Sequence, residues 1–321
     1  MQDIQDIFEA AGAAAGTCLL SGPLLIPLLR RLKFGQHVRI DVPRAHLQKA
    51  GTPTMGGVMF FASMVLGTIA VYNVNLRLSL ALLATMGCGL IGFFDDFIKV
   101  VMKRPLGLKA REKILGQILV SGLFVYSAVA NGFRGTEVAV PGTGWSMDLG
   151  ILYLPFAVFV MTAAINAVNI TDGLDGLAAG VTLFSALGYV LIAKAWGHPD
   201  LSVFGAALAG TCLGFLFYNS NPARLFMGDT GSLALGGAVG SLAVLTGTEL
   251  LLPLLGGVFV VETLSVAIQV LYFRLTKGKR LFKMSPLHHH FELSGWSEQK
   301  VVFSFWTAAA LFAILSVSLV L

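Results

Sequence analysis

Asn166, Asn169, Asp172 and Asp175 recur at every third position of the stretch NAVNITDGLDGLA, between two long apolar runs. Residues three apart occupy neighbouring positions on one helix face, so these four make a slowly drifting polar stripe. Three more acids sit at the edges of apolar runs: Asp95 and Asp96 in IGFFDDFIKV, and Asp229 in NSNPARLFMGDTGS. A lone acid at such an edge is ordinarily a solvated helix cap. Five aspartates at one interface, beside many Lys and Arg, instead describe a site for a divalent cation and phosphate. Mg2+ takes one or two carboxylates, several waters and substrate phosphate oxygens, while Lys and Arg hold the remaining phosphate charge. Gly173 and Gly176 remove side-chain bulk next to the acids, which lets a ligand approach the backbone. Asp229 is expected where a helix begins, whose N-terminus would add free N–H groups for an anion.

The run SPLHHHFE has a logic of its own. Ser285 and Pro286 read as N-cap and first helical residue, which puts the histidines in a first turn. Successive helical residues point about 100° apart, so His288, His289 and His290 cannot all face one ligand. Glu262 lies well inside an apolar run, and an intramembrane carboxylate is a functional candidate by default; a protonated or hydrogen-bonded packing role is the alternative. The three cysteines, Cys18, Cys88 and Cys212, fall in apolar runs at unrelated spacings and read as core residues.

The elements that must position these groups follow from composition. The chain has 321 residues, 56% of them hydrophobic and 12% charged, where a soluble domain carries about a quarter charged residues. This is an all-α integral membrane protein, read as a single polytopic membrane domain over 1–321. A spanning helix needs roughly 20 mostly apolar residues, and ten runs qualify: 10–29, 55–72, 77–94, 114–131, 151–168, 176–193, 201–218, 232–248, 252–273 and 301–321. The acidic start (Asp3, Asp6, Glu9) lacks a basic n-region, which argues against a cleaved signal peptide. Of the 22 Lys and Arg, only Arg77, Arg134 and Lys194 lie in connections after even-numbered spans. By the positive-inside rule both termini are outside, and the acids and histidines sit on the cytoplasmic face. The net charge of +5 reflects this asymmetry and contact with anionic lipid; nucleic acid is not implied. The outer connection NGFRGTEVAVPGTGWSMDLG alternates weakly between turn residues and predicts a small hairpin.

The motifs KAGTPTMGG, FFDDFIKV, GLKAREK, NAVNITDGLDGLA, NPARLFMGDTGSLALGG and SPLHHHFELSGWSE recur in order across nearly the whole chain. In these the chain resembles the polyprenyl-phosphate N-acetylhexosamine-1-phosphate transferases, and SPLHHHFE resembles the histidine motif of their muramoyl-pentapeptide branch. The resemblance implies ten transmembrane helices, a homodimer, Mg2+ dependence and a place in the bacterial cytoplasmic membrane. It also implies the reaction: phospho-MurNAc-pentapeptide passes from UDP-MurNAc-pentapeptide to undecaprenyl phosphate, giving lipid I and UMP, in peptidoglycan synthesis. Carried onto this chain, Asp95 and Asp96 match the acidic pair, Asp229 the acid associated with Mg2+, and His288 the first essential histidine. The nucleoside pocket maps onto Lys49, Asn169, Asp172, Gly173, Leu174, Asp175, Phe226, Gln269 and His289. Thr54, Lys99, Asn166, Asn219 and His290 complete the expected substrate-binding set. Where many relatives have lysine in the GLxxK region, this chain reads GLKAREK, so the phosphate contact falls to Arg111 or Lys113. A relative using UDP-GlcNAc is the near alternative. A secondary transporter is the distant one, disfavoured because the polar groups cluster on one face, not at the midplane.

Overall fold

The computed structural model describes residues 2–32, 51–73, 75–104 and 106–321; Lys49 lies outside them. The described chain is a bundle of helices: α1 (Gln2–Arg31), α2 (Val58–Ile69), α3 (Leu76–Val100), α4 (Ala110–Ala130), α5 (Tyr153–Thr171), α6 (Leu177–Ala195), α7 (Pro199–Asn219), α8 (Gly228–Thr246), α9 (Leu252–Leu255), α10 (Gly257–Leu275), α11 (Leu287–Glu292) and α12 (Glu298–Val320). In a bilayer every backbone N–H and C=O needs an internal partner, which a long helix supplies. Eight of the described helices are long and apolar enough to cross a membrane.

Two of the ten expected spans, 55–72 and 232–248, fall outside these eight, and a third, 252–273, is broken. The run 55–72 yields only the 12 residues of α2, because the chain before it pairs with the start of α8. There the amides of Gly56 and Gly57 donate to the carbonyls of Phe226 and Met227, at 2.8 and 2.9 Å, and Phe226 N–H donates to Pro53 O at 2.9 Å. The run 252–273 breaks at Gly256 into α9 and α10. The run 232–248 begins earlier, at Gly228, and is buried at every position from Thr230 to Thr246. A helix wrapped by other helices need not be lipophilic, and α8 is rich in Gly, Ala and Ser. Small residues let neighbouring backbones close in. A Cβ on Gly92 of α3 would come within 2.0 Å of the Asp229 carbonyl, so this contact sets the depth at which α3 and α8 meet.

The connection between α4 and α5 forms the expected hairpin, β1 (Glu137–Ala139) antiparallel to β2 (Ser146–Asp148). Two of the cations at this end of the bundle meet buried acids. Arg77 forks onto Asp200, and Arg134 reaches Glu249 at 3.0 Å, with Tyr153 OH donating to the same carboxylate at 2.6 Å. Cys18, Cys88 and Cys212 are free and fully buried, as their apolar surroundings predict.

Candidate active site

Asp229 is the hub of the site. It sits in the first turn of α8 and receives groups from three other helices. Lys99 of α3 and Lys113 of α4 reach its Oδ2 at 2.6 and 2.8 Å, and Asn169 of α5 donates to Oδ1 at 2.8 Å. Asn169 also donates to Ser232 Oγ, one turn along α8. Lys99 bridges further to Asp95, its i−4 neighbour on α3, at 2.5 Å. Each helix presents its polar residues at the helical period, so four rods converge with their cations and carboxylates interleaved.

The acidic pair divides its work. Asp95 was expected to end the third span; instead α3 continues to Val100 and both acids are buried inside it. Asp95 Oδ1 accepts from the amide of Leu108 at 2.8 Å, which pins the connection to α4. Asp96 turns to α8. Its Oδ1 accepts from the Asp229 amide at 3.2 Å, and Oδ2 from the amide and hydroxyl of Thr230 at 2.9 and 2.7 Å. The first amides of α8, expected to be free for an exogenous anion, are thus occupied by a carboxylate from α3. This is a cap supplied from a neighbouring helix.

Oxygen ligands of Asp95, Asp96 and Asp229 lie within 4.8 Å of one another. Hard carboxylate oxygens at that separation suit Mg2+, and the two ammonium groups on Asp229 show that the geometry attracts cations.

The stripe from Asn166 to Asp175 does not stay together. Asn169 joins the hub. Asn166 turns away, donating to Gln117 Oε1 at 2.6 Å and to the Thr162 carbonyl. Asp172, a half-buried residue, closes α5; burial of its carboxyl first, then the charge of Asp229, holds that carboxyl well above the usual carboxylate range. Asp175 is buried and accepts from Asn221 Nδ2 at 3.1 Å and the Ala223 amide at 3.0 Å, while its own amide donates to Glu298. It ties the connection after α7 to α12. Asn219 does similar work, accepting from the Gly176 amide and donating to the Leu225 carbonyl. Leu174 is core. Gly173 was expected to leave room for a ligand, but the room is taken by His288, whose Nε2 would lie 2.2 Å from an added Cβ.

Arg111 is exposed in the first turn of α4, whereas Lys113, two residues on, reaches Asp229. The geometry therefore joins Lys113, not Arg111, to the cluster. Thr54 is buried beside Gly228, where an added Cβ would lie 2.5 Å from Asp96 Oδ2 and 2.9 Å from Thr54 Oγ1. Phe226 is half-buried and held through its backbone by Pro53 and Gly56. Gln269 pins the connection after α10, its Oε1 accepting from the amides of Leu281 and Phe282 at 3.1 and 2.9 Å.

The helix α11 starts at Leu287, one residue later than Ser285–Pro286 suggests, with Pro286 at its N-cap and the histidines still in its first turn. Each histidine takes a different partner, as their angular separation requires. His288 Nδ1 lies 2.9 Å from Glu262 Oε2, His289 Nδ1 2.9 Å from Glu292 Oε2, and His290 Nδ1 accepts from the Lys283 amide at 3.1 Å. Sequence reasoning marked Glu262 without finding its partner, and missed Thr230, Glu292 and Glu298. Only Glu292 carried a local signal, its i+3 spacing from His289.

Residues 78–247 match the glycosyl transferase family 4, the class to which this bundle and its acidic cluster belong. Residues 49–61 match phospho-N-acetylmuramoyl-pentapeptide-transferase signature 1. The chain is 53% identical over 316 residues to the phospho-N-acetylmuramoyl-pentapeptide-transferase of Heliobacterium modesticaldum, covering 98% of each. It is 52% identical to that of Desulfitobacterium hafniense, covering 97% of this chain and 96% of the relative. It is 54% identical to that of Moorella thermoacetica, over 94% of each. The chain belongs to the phospho-N-acetylmuramoyl-pentapeptide-transferase family.

Proposed function

We propose that this chain transfers phospho-MurNAc-pentapeptide from UDP-MurNAc-pentapeptide to undecaprenyl phosphate, giving lipid I and UMP in the first membrane step of peptidoglycan synthesis. Cell shape and division would depend on it. The observation that carries the reading is Asp229 held by Lys99, Lys113 and Asn169 beside Asp95 and Asp96, in a chain that matches relatives of this name along its length. The chain would cross the bacterial cytoplasmic membrane ten times as one domain, with both termini outside, the site on the cytoplasmic face, and a homodimer as the working unit. Its substrates meet at the lipid surface, where the carrier's phosphate naturally sits.

An ionised oxygen of undecaprenyl phosphate attacks the β-phosphorus of the nucleotide sugar. The new P–O bond forms as the bond from that phosphorus to the bridging oxygen breaks, and UMP leaves with the bridging oxygen. Lys99 and Lys113 hold phosphate oxygens as charge moves from one side of the reacting phosphorus to the other. Asp96 keeps the start of α8, and therefore Asp229, at the depth of the headgroups. Asp229, with Asp95 next to it, would hold Mg2+, which when bound neutralises charge developing on the leaving phosphate. In this reading Asn169, Asp172, Phe226, Gln269 and His289 would face the nucleoside.

The test is UMP release by purified protein with undecaprenyl phosphate, Mg2+ and either UDP-MurNAc-pentapeptide or UDP-GlcNAc. Release with the muramoyl donor alone is expected. Release with UDP-GlcNAc alone would keep the chemistry and replace the sugar. Transport of substrate into sealed vesicles without UMP would remove the enzyme reading.

A further inference from the structure

Glu262 is fully buried within α10, a segment long and apolar enough to cross a membrane. Both of its carboxylate oxygens are committed to one residue. Oε1 accepts from the backbone amide of His288 at 3.1 Å, and Oε2 lies 2.9 Å from His288 Nδ1. The first amides of a helix have no partner within it, and α11 has no side-chain cap of its own, so Glu262 supplies one from α10. His288 Nε2 is buried without a partner and lies against Gly173.

With Glu262 ionised, only one of the groups meeting at it has a choice of proton. A backbone amide cannot release its hydrogen, and an ionised carboxylate accepts but does not donate. The imidazole can carry its proton on either nitrogen. With one carboxylate oxygen on the amide and the other facing Nδ1, the proton belongs on Nδ1 and the lone pair on Nε2. A carboxylate on one ring nitrogen fixes tautomer and orientation in the same way in unrelated histidine sites.

We infer that Glu262 is a positioning residue: it locks His288 as the Nδ1–H tautomer, set against the Gly173 turn, so that Nε2 accepts from an O–H or N–H of bound substrate. The substrate clause rests on the nucleotide-sugar reading above; the tautomer does not.

Glu262→Gln separates these claims because it keeps the shape and changes the hydrogen-bonding inventory. Its single amide oxygen must serve the His288 backbone amide, which has no alternative. Its NH2 then faces Nδ1, which has to accept, and the ring proton moves to Nε2. The measurement is 15N NMR of the full chain in lipid nanodiscs with labelled histidine, assigning His288 by loss of its signals in His288→Gln. The wild type is expected to show protonated Nδ1 and bare Nε2 at neutral pH, and Glu262→Gln the reverse. Bare Nδ1 in the wild type, a doubly protonated ring, or no change in the Gln variant would overturn the inference.

UMP release is read in parallel. Glu262→Gln is expected to lower kcat by about 10- to 100-fold, the usual effect of losing an orienting carboxylate. Glu262→Asp, shorter but still acceptor-only, should retain more activity than Gln. A packing role predicts the opposite order, since Gln preserves the volume. Tautomer inversion with unchanged kcat would overturn the acceptor role of Nε2. Tautomer inversion in a protein whose wild type releases no UMP would leave the lock standing and bring down the functional reading instead.

Discussion

Asp229 offers two oxygens and receives two ammonium groups and an amide on them, so its charge is the one around which the others are arranged. Asp229→Asn keeps the shape and removes that charge. UMP release should fall by at least about 100-fold, the scale expected when a stabiliser of transition-state charge is lost; retained turnover would remove Asp229 from the chemistry. The two candidate phosphate cations in GLKAREK separate in the same assay. Lys113→Ala deletes a charge-assisted contact and should cost roughly tenfold or more, whereas Arg111→Ala, on the exposed side of α4, should leave the rate near wild type. Gly173→Ala would force His288 out of its place, because the new Cβ falls 2.2 Å from Nε2. If that variant were as active as the parent, the packing of the Gly173 turn on His288 would have no bearing on turnover.

The unit that matters at the next scale is the junction of α3 with α8. Asp96 accepts from three donors at the start of α8, and Asp96→Asn exchanges one acceptor oxygen for a donor pointed at hydrogens. Leaving a buried donor unsatisfied costs about 1–3 kcal/mol, so the variant should melt earlier in detergent as well as turn over more slowly. An unchanged melting temperature would mean that α8 is anchored without this cap. At the other end of the bundle Arg134 neutralises Glu249, which is 1% exposed. Arg134→Ala strands that charge and should destabilise by about 3–5 kcal/mol, while replacing both partners with apolar residues should cost far less. Equal losses in the single and double variants would show that the pair is not an energetic unit.

For the whole molecule, the orientation proposed from Lys and Arg can be read with a membrane-impermeant thiol reagent. The three native cysteines are fully buried, so the wild type should remain unlabelled in intact cells. Thr143→Cys, beyond the strands of the hairpin, should label from outside. Lys279→Cys, in the basic connection after α10, should label only after the membrane is opened. The reverse pattern would invert the molecule and place the acidic cluster on the outer face, where a soluble nucleotide sugar from the cytoplasm could not reach it.

Apolar runs were enough to give long helices able to cross a membrane, because a bilayer leaves the backbone few other solutions. The hairpin was legible from its turn residues, and the acid, lysine and histidine types from local motifs. Which of those residues meet was not legible. Asp172 and Asp175 share a motif, yet Asp175 ties the connection after α7 to α12 while Asp172 stays near the hub. Lys113 and Arg111 are two apart, yet helix rotation sends only Lys113 to Asp229. Glu262 finds His288 26 positions away, and Asp96 caps a helix that begins more than a hundred residues later. Periodicity places a side chain on a face of its own helix; which partner that face meets is set by how the helices rotate and how closely residues such as Gly92 and Gly173 let them approach.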